Sequence, residues 1–367
     1  MEPVSVASPA RTRITSIDAL RAVTLLGIII VHANQGFGLR SNLCHSFTDG
    51  YICEFILLFL SNKCNEIFAA LFGVSFYLIL RNPKNTSAKF VWRCFLLMLI
   101  GLFNKLFYTQ DVLMWYGLCG MILVLFRNIK PKYLIIISVC MLLVNYCLVS
   151  PLQIGTKLFG EAHAIRYGAD KSFFDVVSYP YTIIDRIRFQ LDGGGLCTPA
   201  LFLFGYWVAK IGFIEHIQER MTKRLLLITW SLFIISFIAN YFQKEVNLSL
   251  IIICNFLGSA AYACAVLFAY YHCDWCQRVL KLLEPYGKLG LTNYSIGGIF
   301  GVICINEFGL GLYKYGTTVI VLFFIAFFIL QAVFSYYWLR YYTYGPMEYV
   351  WRAATERKWI PFRRQPS

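Results

Sequence analysis

Long, nearly uninterrupted apolar runs recur from one end of the chain to the other. About 20 such residues are what a helix needs to cross a hydrocarbon core, since each residue advances it ~1.5 Å. Ten stretches approach that length: 14–33, 64–81, 90–108, 111–126, 133–149, 194–212, 224–241, 248–271, 289–306 and 317–339. The segment 51–60 is apolar but too short to span, and reads as re-entrant, as interfacial or as an extension of the second span. In lipid, only helices and closed barrels satisfy all their backbone polar groups. A barrel would alternate in hydrophobicity over roughly ten-residue segments, and these runs do not. The expected fold class is all-α: a polytopic integral membrane protein of about ten transmembrane helices.

Composition agrees. The 367 residues are 59% hydrophobic and 14% charged, against about half and about a quarter for a soluble domain. A soluble enzyme and a disordered chain are both excluded, and the length excludes a disulfide-stapled mini-protein. The net charge of +14 would suit nucleic acid, but its placement points elsewhere. With the N-terminus inside and the spans alternating, 22 of the 33 lysines and arginines fall in inner segments and 10 in outer ones, with Arg21 inside the first span. Positive charge accumulates on the cytoplasmic side, beside an anionic leaflet. Both termini are therefore expected in the cytoplasm, and no nucleic-acid partner is expected. The first span follows a short polar leader with no small-residue cleavage site after it, so it reads as an uncleaved anchor. A bacterial inner membrane is the expected home, an internal organelle membrane giving the same signal, with the lipid bilayer as the first partner. Aromatic-rich spans permit a homodimer.

Residues 1–345 read as the transmembrane domain, with an outer loop at 150–190, and 346–367 as a basic amphipathic tail on the inner leaflet. Most cysteines lie inside spans, where they serve as small apolar residues. Cys44, Cys53 and Cys64 fall in the first outer loop, where two of them could pair. The string HCDWC (272–276) contains one C-x-x-C. That is a weak zinc signal, and no metal is expected.

Ionisable residues inside spans are costly and usually functional. Asp18 and Arg21 are three residues apart and share a helix face. His32 lies eleven residues beyond Arg21, about three turns and ~16 Å further along. One stripe of the first span therefore carries Asp18, Arg21 and His32. Glu66, Asn104 and Asp111 stand at the outer mouths of neighbouring spans, and Asp192 precedes a triple glycine on the same side. Asn293, early in the ninth span, most simply makes an interhelical hydrogen bond. No Walker loop, G-x-S-x-G, H-E-x-x-H or dinucleotide fingerprint is present.

Several stretches carry a family resemblance: RITSIDALRAVTLLGIIIVH (13–32), FAALFGVSF (68–76), WRCFLLMLIGLFNKLFYTQDVLMWYGLCG (92–120), PALFLFGYWVAKIGF (199–213), GKLGLTNY (287–294) and GPMEYVWR (345–352). Together they resemble the YeiB-like family, bacterial inner-membrane proteins with the domain of unknown function 418. That family is similar to a wider superfamily of membrane acyltransferases, which includes polysaccharide O-acetyltransferases and the lysosomal heparan-glucosaminide acetyltransferase. The resemblance implies acyl transfer, with acetyl-CoA or another acyl-CoA as donor and a glycan, lipid or metabolite acceptor at the outer face. It also implies catalytic roles for His32 and Asp111. Substrate-binding roles are implied for Asp18, Arg21 and Arg93, with Glu66, Asn104 and Asn293 as further candidates. The family pattern usually has Asn where His32 stands and His where Asn104 stands. The exchange suggests that the two positions are neighbours. The alternative reading is a transporter or channel for a small metabolite along the same stripe.

Overall fold

The computed structural model describes residues 14–38, 43–83, 85–108, 111–145, 157, 195–242 and 248–364. Apart from Lys157, the outer loop 150–190 lies outside the described residues, as does Asp192. The described chain is all-α, and each of the ten apolar stretches carries a helix. In chain order the helices are α1 (Thr15–Asn34), α2 (Phe47–Phe55), α3 (Lys63–Leu80), α4 (Ser87–Lys105), α5 (Leu113–Leu123), α6 (Pro131–Val144) and α7 (Cys197–Lys210). They continue with α8 (Ile217–Arg220), α9 (Lys223–Tyr241), α10 (Leu248–His272), α11 (Asp274–Lys288), α12 (Gly290–Ile305), α13 (Gly316–Tyr341) and α14 (Pro346–Glu356).

Among the described residues, six helical stretches are long and apolar enough to cross a membrane, and a seventh arises if α11 and α12 count as one span bent by 78°. The protein is a polytopic membrane protein. The count falls below ten because several apolar stretches form short helices. Leu113–Phe126 is one of these, and α7 has 14 residues, whereas α6 runs to the edge of the described stretch at Asn145. Fourteen residues rise only ~21 Å, less than a ~30 Å hydrocarbon core. Segment 51–60 joins the second span: α2 runs through one π turn (Ile56–Leu60) towards α3, and the junction turns at Asn62, whose φ is +64°.

Local chemistry sets the helix starts. Ser46 and Asp49 form a capping box on α2. Thr86 and Thr222 accept from the Lys89 and Leu225 backbone N–H groups and open α4 and α9. Pro131 and Pro346 occupy first turns, where a missing N–H costs nothing.

Helix α1 is the hub. It packs on α3, α10, α11, α12 and α13, and 78% of its apolar window is buried, against 11% for α9. A helix apolar on every side is stable only when enclosed. Helix α9 instead turns Leu227 and Ile235 outward, each more than 60% exposed, as a lipid-facing helix does. Helices α3 and α7 approach at backbone distance. A Cβ on Gly73 would overlap the Phe202 carbonyl, and one on Gly205 would overlap the Ala70 carbonyl. Small residues at such seams let helix backbones meet where no hydrophobic force drives association.

Gly205→Val should therefore push α7 off α3. The obstruction is backbone, so the cost should reach about 3 kcal/mol. Gly50→Ala, where a Cβ meets nothing within 4 Å, is the control. Thermal melting of the detergent-solubilised protein should show a clear loss for the first and almost none for the second.

Candidate functional site

The stripe on α1 is ordered from its first turn. The Arg21 guanidinium donates to the Asp18 carboxylate at 2.9 Å and to Ser75 Oγ on α3 at 3.4 Å. Asp18 is buried, and its backbone carbonyl lies against Gly287 of α11. The pair anchors the charge of Arg21, which then borders a cavity of ~290 Å³.

That cavity is basic and aromatic. Arg21, Arg93, Lys288 and Arg352 border it, together with a single carboxylate, Glu348. Arg93 stacks its guanidinium 3.9 Å above the Trp351 ring. Its buried Nε has no hydrogen-bond partner. An unanswered buried donor costs about 1–3 kcal/mol, and an anionic oxygen entering the cavity could answer it. Guanidinium groups suit phosphate in particular, because their donors form a planar fork.

One wall comes from α14. Its Glu348 carboxylate accepts from the Leu291 N–H (2.7 Å), the Thr292 N–H (3.0 Å) and Thr292 Oγ1 (2.5 Å), so it caps the start of α12 from another helix. Trp351 Nε1 donates to the Arg93 carbonyl at 2.8 Å, and Trp92 Nε1 to the Ala354 carbonyl at 3.1 Å. Lys89 pairs with the Glu356 carboxylate at 2.7 Å. The expected tail at 346–367 thus begins with a helix docked on α4 and α12 by specific bonds. Burial raises the Glu348 pKa, opposed by the bonds from Thr292.

His32 sits further along α1, buried, in a chamber of ~20 Å³ that holds about one water. Tyr294 borders both the chamber and the basic cavity. The Tyr108 ring meets the imidazole edge-on at 5.2 Å, and the Phe37 ring lies 6.1 Å away. Phe37 is left-handed, with φ +50°. That conformation is strained for a bulky residue. It lays the ring over Gly301, where a Cβ would collide with it.

The other candidates divide. Asn293 borders the His32 chamber and bonds across to Ser335 Oγ of α13 at 3.0 Å. Asn104 donates to Asp111 at 3.2 Å and to Ser295 Oγ at 2.9 Å. The other Asp111 oxygen accepts the Leu113 N–H at 2.9 Å, at the start of α5. Tyr108 links this cluster to His32: its backbone N–H donates to the Asn104 carbonyl at 2.8 Å while its ring meets the imidazole. Glu66 belongs to a separate network. It accepts from Ser259 Oγ at 2.6 Å, beside Lys63, whose Nζ donates to Asn255 at 2.9 Å. Tyr108, Phe37, Tyr294, Lys288 and the α14 residues were not singled out as site residues from the sequence. Only GPMEYVWR hinted at α14.

Residues 208–358 match the family described as protein of unknown function (DUF418). Three curated bacterial proteins align along nearly the whole chain. Uncharacterized protein YxaH of Bacillus subtilis is 28% identical, covering 96% of each chain. The uncharacterized 39.9 kDa protein in the amylase 3′ region of Bacillus acidopullulyticus is 26% identical over 95% of each. Uncharacterized protein YeiB of Escherichia coli is 25% identical, over 94% of this chain and 97% of its own. The C-terminal part of the chain is thus similar to the DUF418 family, and the whole chain is similar to these three proteins. The DUF418 match takes in α8 to α14, and hence Lys288, Asn293, Tyr294, Glu348 and Arg352. Arg21, His32 and Arg93 precede it.

The raised Glu348 pKa sets a sign for pH. A carboxyl whose folded pKa exceeds its unfolded value adds stability below the unfolded value and loses it as pH rises through the folded one. Between pH 7 and pH 4.5, wild type should gain stability relative to Glu348→Gln. Paired thermal melts across that window check this.

Proposed function

We propose that this membrane protein is an acyltransferase, taking an acyl group from acyl-CoA and passing it to an acceptor that reaches His32 from the opposite side. The observation that supports this most is the shared border of the basic cavity and the His32 chamber at Tyr294. Arg21, Arg93, Lys288 and Arg352 would receive the phosphates. The ~16 Å along α1 between Arg21 and His32 is of the order that an extended pantetheine arm covers. With the N-terminus read as inside, the excess of positive charge supports a basic cavity open to the cytoplasm.

His32 acts as general base. It removes the proton of the acceptor hydroxyl or amine as that atom attacks the thioester carbonyl. The new C–O or C–N bond forms, the C–S bond breaks, and the imidazolium returns its proton to the departing thiolate, releasing CoA. Imidazole can both take up and return a proton, which suits both steps. Asp18 positions Arg21. Phe37 and Tyr108 must shift for an acceptor to enter, since the closed chamber has room for little more than water.

Acetyl-CoA binding and CoA release by the purified protein in lipid test this reading. His32→Ala should cut CoA release by at least ~100-fold and leave binding intact. Arg93→Ala or Arg352→Ala should weaken binding about tenfold, the loss of one charged hydrogen bond. A folded wild type that binds no acyl-CoA sinks the proposal. A second reading, passage of a small solute, draws on the polar stripe along α1. Solute flux into proteoliposomes without any need for CoA would favour it.

A further inference from the structure

At the Asn34 end of α1, three elements are pinned together. The Thr317 N–H and Oγ1, at the start of α13, both donate to the Leu43 carbonyl, at 2.8 and 3.2 Å. One Asp49 oxygen accepts the Ser46 N–H and Oγ, at 2.9 and 2.8 Å. The other accepts the Thr318 N–H and Oγ1, at 2.7 and 2.6 Å. The segment before α2, α2 itself and the start of α13 therefore hold one another in place.

Within this frame Cys44 Sγ and Cys53 Sγ are 2.7 Å apart, and Cys53 Sγ lies 3.3 Å from Thr317 Oγ1. A covalent S–S bond is ~2.05 Å, so closing one asks for a movement of well under 1 Å. Cys64 is not a competitor. It is buried, with its sulfur against Gly27 in the seam between α1 and α3. Cys273 and Cys276 lie at the start of α11, across the break of the bent pair from α12.

We propose that Cys44 and Cys53 form a disulfide on the outer side of the membrane, clamping the segment before α2 onto that helix. Both thiols give up their hydrogens and the S–S bond forms. An exchangeable disulfide on a thiol oxidoreductase takes the two electrons and two protons, passing through a mixed disulfide and leaving as a dithiol. Oxidation of this kind belongs to the extracytoplasmic side, where disulfides persist, and the first loop falls on that side when the basic N-terminus is read as inside. The clamp bears on the site. Leu43, next to Cys44, packs in the same apolar cluster as Phe37 and Tyr108, the two rings that close over His32. The inference is independent of the acyl-transfer reading.

The full-length protein in native membranes provides the test. Arg40 and Lys63 flank both cysteines with no lysine or arginine between them, so trypsin releases the pair on one peptide. Thiols are alkylated during denaturation, with and without prior reduction, and the peptide 41–63 is weighed. The expected result is no alkyl group on that peptide before reduction and two after it. Cys53→Ser should carry one under both conditions. Two alkyl groups on the wild-type peptide without reduction overturn the proposal. A membrane-impermeant maleimide added to intact, mildly reduced cells should label Cys44. Labelling only after the membrane is opened would place the pair on the reducing side and also overturn it.

Discussion

A helix enclosed by others can carry charge only where its neighbours answer it, and α1 is enclosed more completely than any other long helix described. Arg21 is held by Asp18 one turn below and by Ser75 across the seam. Asp18 is buried while Arg21 is only half-buried and opens onto the basic cavity, so the pair links the enclosed turn to the cavity wall. The same seam brings Asp18 against Gly287, so α11 seats on the turn that holds the charge. The position of α12 follows, because it leaves α11 at the bend beside Leu289. Asn293, Tyr294 and the His32 chamber are therefore placed, at one remove, by an ion pair at the start of the first helix.

The two cavities differ in kind. The larger is cationic, walled by aromatic rings, and contains a guanidinium nitrogen with no acceptor. The smaller is nearly filled. The first has the charge that suits an anion, and the second encloses an imidazole. His32 is shielded by two rings, one of them on a strained residue. Strain at a bulky residue persists only when its surroundings over-determine it. Here Phe324, Gly301 and Tyr108 do so.

Much of this was legible in the sequence. The stripe of Asp18, Arg21 and His32 followed from helical periodicity, because a buried helix keeps its period whatever surrounds it. Asn293 bonds to a neighbouring helix, as an amide inside a span should. The span count did not follow so directly. Hydropathy measures apolar length, and α5 and α7 are short helices that pack on one another. Segment 346–356 reads from sequence as an amphipathic helix, and it is one. Its docking on α4 and α12 was not legible, because only the Glu348 and Trp351 bonds reveal it. Glu66 and Asp111 were both placed at outer helix mouths, but one sequence cannot say which mouths adjoin. Asp111 reaches the neighbourhood of His32 through Tyr108, whereas Glu66 pairs with α10.

The docking of α14 has a consequence for how the protein is made. A membrane chain is threaded in from its N-terminus, so α1, α3 and α4 are in the bilayer well before α14 leaves the ribosome. Until then the start of α12 lacks the carboxylate that caps it, and Arg93 lacks the indole on which it lies. The basic cavity is thus the last part of the molecule to be completed. A chain that stops short of Pro346 would be inserted in the bilayer and largely helical, yet would leave the cleft open along one side.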